Sequence, residues 1–224
     1  MTETTRKPRV PSTAKGEATR NQILDVSEIL FARNGYQGTS LRDIAQEAGV
    51  RMGLVHYHFG NKHLILDAAL ERKLDLLSQR ISDSFAQAEA RPGPFGLEEI
   101  VTAFILPFLQ AVSREDEPLR NYIVMTSHLM SSYRMPELRP SLARLSVVSE
   151  ILTDRLRRHG PAISEGNLLA GVYLIEAALI FMVQDPGFLD DLSRDHHSVA
   201  RLEDIAQPAL RFFASGLESL REPS

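Results

Sequence analysis

Apolar residues recur at intervals of three and four along most of the chain, which is the period of one face of an α-helix. The pattern begins at Ile23 and Leu24, continues through Leu30 and Phe31, and ends near Leu217. No segment alternates convincingly between apolar and polar residues with the period of two that marks a half-buried strand. The sequence therefore predicts an all-α protein of about nine helices.

Glycine, proline and asparagine divide this pattern into segments, and RPGPFG at residues 91–96 is the clearest break. The predicted helices run over residues 17–34, 40–47, 51–58, 62 to about 90, 97–113, 117–132, 137–158, 165–184 and 202–217. Three regions follow: a disordered basic tail at residues 1–16, a small helical domain at 17–62, and a larger one at 63–224. The long helix from residue 62 to about 90 connects the two domains.

The second and third predicted helices are short and are joined by the tight turn Ala48-Gly49-Val50. That arrangement is a helix–turn–helix, whose second helix reads DNA. Lys62, at the start of the next helix, adds a cation beside free backbone N–H groups, which suits a phosphate. The side of the reading helix that we expect to face outward carries Arg51, Met52, Gly53, Leu54, His56, Tyr57 and His58.

The neighbouring rings of His56, Tyr57 and His58 also raise the alternatives of a metal site or a catalytic pair. Two residues apart on a helix, the two histidines point about 200° apart around the axis and cannot share an ion. The chain has no Cys to complete a thiolate site. No group orients a histidine as a general base, and no nucleophile elbow is present. We therefore expect no metal, no cofactor and no enzymatic activity.

The net charge of −4 hides an asymmetry. Residues 1–63 hold nine Lys/Arg and six Asp/Glu, whereas the other 161 residues hold 16 and 23, so the first part is +3 and the rest is −7. A basic end on an acidic body favours a polyanionic partner. The N-terminus lacks the apolar run of a secretory signal, and the apolar stretch Val172–Val183, interrupted by Glu176, is short for a membrane span. We expect a soluble, cytoplasmic protein.

The larger domain is rich in big apolar and soft side chains with a few polar groups among them. This composition is typical of a small-molecule pocket, although ordinary core packing is the alternative. It suggests a hydrophobic or aromatic effector. The candidate pocket residues are Phe104, Phe108, Tyr122, Met125, His128, Leu129, Tyr133 and Glu176.

The segment at residues 168–183 is apolar nearly all round, as expected of a helix that is buried against both its own domain and a partner. Glu176 interrupts it and is costly if unpaired. Its carboxylate has three possible settings: across a two-fold axis, in the pocket, or in solvent. The candidate dimer-interface residues are Leu169, Val172, Glu176, Leu179, Ile180, Leu210, Phe213 and Leu217.

The run TSLRDIAQEAGVRMGLVHYHFGNKHLIL, residues 39–66, with the preceding TRNQILDVSEILFARNGYQG, resembles the DNA-binding domain of the tetracycline-repressor (TetR) family of bacterial transcription regulators. The resemblance covers about residues 17–70. It implies a homodimer that binds an inverted repeat, dimerises through its last two long helices and encloses a small-molecule pocket. By position, it implies phosphate contacts from Ser40, Tyr57, His58 and Lys62, and base-facing positions at Arg42, Arg51, Met52, Gly53 and Leu54.

Three residues depart from the family pattern: Arg51 replaces a small Ser, Met52 replaces a polar residue, and His56 stands where Tyr is common. The leading interpretation is a transcriptional repressor that binds double-stranded DNA and is released from it by a small-molecule effector. An architectural or nucleoid-associated DNA-binding protein without an effector is the second reading. A helical enzyme or carrier that kept a helix–turn–helix is the third.

Overall fold

A computed structural model describes residues 13–132, 135–159, 163–185 and 187–222. The all-α prediction is confirmed, but nine helices is too few. Within the described residues there are eleven: α1 (Ala14–Asn34), α2 (Leu41–Glu47), α3 (Met52–Phe59), α4 (Lys62–Glu89), α5 (Leu97–Ser113), α6 (Arg120–Ser131), α7 (Arg139–Arg144), α8 (Ser146–His159), α9 (Glu165–Gln184), α10 (Gly187–Ser193) and α11 (Leu202–Ser219).

The additional helices arise in two places where the apolar pattern gives no signal. The predicted helix over residues 137–158 is a 3₁₀ turn at Pro136–Leu138 followed by α7 and α8, which meet at Leu145. Leu145 is itself buried, so the apolar pattern runs across the break and hides it. Helix α10 has seven residues and buries none of them, so its apolar residues are too few to mark a helix in the sequence.

The start of α1 also differs from the expected position. Thr13 caps it by accepting a hydrogen bond from the backbone N–H of Gly16 at 3.2 Å. Residues 14–16, expected in the basic tail, are therefore the first turn of the helix. The rest of the predicted tail, residues 1–12, lies outside the described residues.

Helix α4 is the central element of the fold. It contacts α1 and α3 on one side and α5, α6, α7 and α8 along the rest of its length. Helix α1 packs against α6 as well as against α2 and α4. A single apolar core consequently runs from Ile23 and Phe59 in the first three helices to Leu217 in the last. The small N-terminal region and the larger C-terminal region are thus packed together.

Helices α9 and α11 approach each other very closely at one glycine. A Cβ atom at Gly171 would lie 2.5 Å from Cδ2 of Leu217, closer than side chains tolerate.

Helix α9 has 20 residues and a mean hydropathy of 1.9 over its most apolar window, of which 33% is buried. By length and composition alone it is sufficient to cross a membrane, so the expectation that this stretch is too short was wrong. The apolar surface that α9 exposes needs to be covered by something other than the core of its own chain.

Candidate functional site

Helix α2 begins at a capping box. Ser40 accepts a hydrogen bond from the backbone N–H of Asp43 at 3.2 Å, and the Asp43 carboxylate accepts one from the backbone N–H of Ser40 at 2.9 Å. The Ser40 hydroxyl also donates to this carboxylate at 2.7 Å. The hydrogen bonds from the side chain and the backbone of Ser40 hold the pKa of Asp43 below its usual range. Ser40 is exposed, and both its backbone N–H and its hydroxyl already donate to Asp43.

The turn between α2 and α3 is fixed by the backbone. Gly49 has φ of +61°, in the left-handed region that favours glycine, and the N–H of Val50 donates to the carbonyl of Ala45 at 3.0 Å. Gln22 of α1 donates to the carbonyl of Ala48 at 2.8 Å. The turn sets the angle at which α3 leaves α2, and α1 holds it in place.

Helix α3 buries one side and exposes the other. Val55 and Phe59 are each 1% exposed, and the Arg20 guanidinium lies 5.0 Å from the centre of the Phe59 ring. Gly53 has open space where a Cβ would lie, so packing within the protein does not require a glycine there. The predicted reading residues that reach the surface are Arg42, Arg51, Met52, Gly53, Leu54, His56 and Tyr57.

The hydrogen bond made by His56 defines what its ring offers to a partner. Nδ1 lies 2.9 Å from the carbonyl oxygen of Gly60. A carbonyl only accepts hydrogen bonds, so Nδ1 carries the proton. In the neutral ring Nε2 is therefore an acceptor. His56 is exposed, so this acceptor is available to a partner at the surface.

His58 lies elsewhere than expected. It is only 3% exposed, so it does not share the outward side of α3 where the sequence placed it. Burial and the nearby Arg20 cation lower its pKa, and its Nδ1 has no hydrogen-bond partner among the described residues. Helical phase is the reason, because His58 follows Val55 by three residues and so turns to the same buried side.

Lys62 is half-buried and already engaged. Its ammonium donates to the carbonyls of Tyr36 at 2.7 Å and Thr39 at 2.8 Å, and it lies 4.2 Å from the centre of the Tyr36 ring. Burial lowers the pKa of Lys62, and the Asp43 carboxylate opposes this. Lys62 therefore ties the α1–α2 junction to α4. Two of its three donors are used within the protein, which the prediction of a phosphate contact did not anticipate.

A cavity of about 90 Å³ lies between α4, α5, α6, α8 and α9. Of the predicted pocket residues, Phe104, Phe108 and Glu176 line it. Leu179 and Ile180, predicted for the dimer interface, line it too. The lining residues that the sequence analysis missed are Leu77, Ile123, Thr126, Ser127, Met130, Leu145, Val148, Ser149 and Val183.

Four predicted pocket residues on α6 do not line the cavity: Tyr122, Met125, His128 and Leu129. The hydroxyl of Tyr122 donates instead to the carbonyl of Leu70 in α4 at 3.0 Å. Both sides of α6 carry apolar residues, and residue type alone does not show which side faces the cavity. Tyr133 lies outside the described residues.

Glu176 is the only ionisable side chain among the described residues lining the cavity. Its Oε1 atom is buried without a hydrogen-bond partner in the part of the chain that the structure describes. Burial raises the pKa of Glu176, and the Ser149 hydroxyl partly opposes that rise. Of the three locations considered for this carboxylate, the structure has it at the wall of the cavity.

The residues predicted for the dimer interface do not all lie on the outward side of α9 and α11. Leu169 is 48% exposed, as an interface residue should be. The remaining apolar members turn into the protomer's own core or line the cavity, because only one side of each helix faces outward: Val172, Leu179, Ile180, Leu210, Phe213 and Leu217. The large apolar side chains that α9 and α11 do expose are Leu169, Tyr173, Leu174, Phe181 and Phe212.

The described residues contain no group of three or more His, Asp or Glu side chains placed to hold a metal ion. His56 and His58 lie on different sides of α3, one exposed and one buried.

Comparison with known proteins gives matches over both regions. Residues 23–70 match the family of bacterial regulatory proteins named tetR, and residues 102–216 match the tetracyclin repressor-like C-terminal domain. The transcriptional repressor KstR2 of Rhodococcus jostii is 27% identical over 133 residues, which are 58% of this chain and 61% of that protein. The chain thus spans less than two thirds of that relative's length.

Two solved structures share the fold. The fatty acid degradation regulator FadR of Bacillus halodurans has a TM-score of 0.61 at 18% identity, covering 89% of this chain and 96% of that one. The regulator FadR of Bacillus subtilis, in complex with stearoyl-CoA, has a TM-score of 0.56 at 19% identity, covering 88% and 98%. Since the C-terminal match alone takes in more than half of the 224 residues, this chain belongs to the TetR family of bacterial regulatory proteins.

Proposed function

We propose that the protein is a cytoplasmic, dimeric transcriptional repressor that binds an inverted-repeat operator and is released by a small molecule. The outward side of α3 carries the proposal, because it places apolar and hydrogen-bonding side chains together on a short exposed helix. The cavity in the C-terminal region favours an effector over a purely architectural role. One oxygen of the Glu176 carboxylate there is buried without a hydrogen-bond partner in the described chain, which is costly for a protein that binds nothing at this site.

The exposed residues divide by chemistry into two groups of DNA contacts. Arg51 and Arg42 have the donors to read the N7 and O6 atoms of a guanine, and Met52 and Leu54 offer apolar contact to a thymine methyl. Tyr57 has a hydroxyl that reaches phosphate oxygens. The Ser40 hydroxyl already donates to Asp43, so Ser40 contacts a phosphate only by exchanging that hydrogen bond. Lys62 contributes one remaining donor and the positive charge of its ammonium.

His56 has a role of its own in this scheme. Its Nε2 acceptor matches an exocyclic amino group, N6 of adenine or N4 of cytosine, and not a phosphate. Replacing adenine by purine, which lacks the amino group, at the contacted position should weaken binding of the natural protein. The same replacement should leave His56→Ala unaffected. Equal losses in both proteins would contradict this assignment.

A second copy of the chain is the cover we propose for the exposed apolar side of α9 and α11. Tyr173 is 70% exposed and Phe212 is 75% exposed. Small residues lie beside them, and Gly216 has open space where a Cβ would be. Ordinary monomers do not leave several large side chains of neighbouring helices in water, and such patches mark interaction surfaces. Tyr173→Glu should give a monomer in analytical ultracentrifugation, whereas Leu192→Glu, on α10, should not.

The cavity connects to the reading helix through α4. Leu145, which lines it, directly follows α7, and α7 is bound to the first turns of α4. Ser141 donates to Asp67 at 2.7 Å and Arg144 donates to Glu71 at 2.8 Å. A ligand that displaces this wall would move the start of α4 and with it α3. It releases DNA only by binding that displaced state more tightly than the DNA-bound one.

The test of the DNA surface compares Arg51→Ala with Tyr57→Phe on a selected operator and on random duplex. Arg51→Ala should lose about 1–3 kcal/mol on the operator and little on random DNA. Tyr57→Phe should weaken both alike. Arg91→Ala, which removes the same charge from the exposed residue after α4, is the matched control and should change neither. An equal loss on both duplexes for Arg51→Ala would make it a phosphate contact.

A further inference from the structure

We propose that the effector is a compact apolar amine whose cationic nitrogen pairs with Glu176, and that the cavity rejects carboxylates and other anions. This inference rests on the proposed function, because it takes the cavity as the effector site. It concerns the charge of the ligand, which the fold and the family leave open.

The side chains around the cavity form a mostly apolar wall, whose polar groups are hydroxyls and the carboxylate of Glu176. Phe104, Phe108 and several aliphatic residues make most of the surface, and the hydroxyls of Thr126, Ser127 and Ser149 add weak polarity. Among the described lining residues there is no Lys, Arg or His. An anionic group entering here would lose its hydration, meet no compensating cation, and face a carboxylate. Acyl-CoA esters and free fatty acids therefore fit this cavity poorly.

Glu176 is the residue that favours a cationic ligand. Its Oε1 atom is buried and has no hydrogen-bond partner in the described chain. Buried polar atoms are almost always satisfied, and an exception calls for an unobserved partner. A protonated amine meets both needs of this oxygen, since it donates a hydrogen bond and cancels the buried charge. A neutral hydroxyl meets only the first.

Aromatic rings at the same cavity favour a cation as well. Phe104 and Phe108 have ring centres 5.4 Å apart and planes inclined by 50°. The faces of aromatic rings attract cations, most strongly where water is excluded. The volume of about 90 Å³ favours a ligand with a compact body. The unbranched side chain of Met130, also in the wall, lets that body vary in shape.

The experiment uses three probes of nearly equal shape: 2-phenylethylamine, 2-phenylethanol and phenylacetate. Titration calorimetry on the full chain near neutral pH should give the tightest binding for the amine, about tenfold over the alcohol, and the weakest for phenylacetate. Glu176→Gln should abolish the advantage of the amine and leave the alcohol nearly unchanged. Glu98→Gln, at an exposed position of α5, is the matched control and should keep the natural order.

Tighter binding of phenylacetate, equal binding of all three probes, or no binding of any of them would overturn the inference. So would an advantage of the amine that survives Glu176→Gln. Selective binding of one DNA site by the same preparation distinguishes the two failures. If DNA selectivity persists while the amine does not bind, only the ligand class is wrong; if DNA selectivity is absent, the repressor reading fails.

Discussion

Glu28 binds α1 to α4 through both oxygens of its carboxylate. Its side chain is 4% exposed, and both carboxylate oxygens are engaged. Oε2 accepts from Arg72 at 3.1 Å and Oε1 accepts from Lys73 at 2.6 Å. Lys73 also donates to the carbonyl of Pro118, between α5 and α6, at 2.7 Å. One buried carboxylate thus joins the N-terminal helix to the centre of the C-terminal region.

The free-energy cost of removing this carboxylate follows from its surroundings. Breaking a buried ion pair by deleting one partner costs about 3–5 kcal/mol, since the other charge is left uncompensated. Here both cations are about one fifth exposed, and each keeps a second acceptor, Asp25 for Arg72 and the Pro118 carbonyl for Lys73. We therefore expect Glu28→Gln to reduce the free energy of unfolding by about 2–3 kcal/mol.

Urea unfolding at one fixed protein concentration measures the effect, since the stability of the proposed dimer would depend on concentration. Asp25→Asn is the matched control, because Asp25 also pairs with Arg72 but is 65% exposed. It should cost no more than about 0.5 kcal/mol. Equal losses for Glu28→Gln and Asp25→Asn would refute the reasoning, because they would show that burial does not govern the strength of this network.

Three further changes have expected outcomes in thermal unfolding. Gly171→Ala should lose about 1–2 kcal/mol because its methyl group meets Leu217, whereas Gly166→Ala, with open space around it, should gain about 0.5–1 kcal/mol. Ser40→Ala should lose about 1 kcal/mol with the helix cap. Because burial raises the pKa of Glu176, its ionisation costs stability above the ordinary value of 4.5; Glu176→Gln should therefore stabilise the ligand-free protein increasingly as pH rises, and a gain that shrinks with pH would contradict this.

The helix–turn–helix was predictable because its signals are local. Caps and turn glycines such as Ser40 and Gly49 lie within a few residues of the helices they delimit, and the structure has both in these roles. Within that motif, the error came from side-chain direction, because His58 belongs to the buried side of a two-turn helix. Nothing in the sequence indicates that Lys62 binds carbonyls 23 and 26 residues earlier in the chain.

The cavity and the outward side of α9 were harder to predict because α6 and α9 are apolar on more than one side. On α6, Tyr122 turns to α4 while Ile123 turns to the cavity, and nothing in their residue types separates them. On α9, Leu169 faces outward while Val172 is buried. The decisive contacts come from helices far away in sequence. The aromatic pair Phe104 and Phe108 and the interruption of an apolar run by Glu176 marked the cavity in advance.

Selection of binding sites from random duplex DNA with the purified protein tests the central claim most directly. The account predicts recovery of an inverted repeat whose half-sites lie about 34–36 Å apart, one turn of the double helix or a multiple of it. Recovery of no sequence preference at moderate salt would leave only charge-driven binding and would contradict the assignment of α3 as a reader of bases.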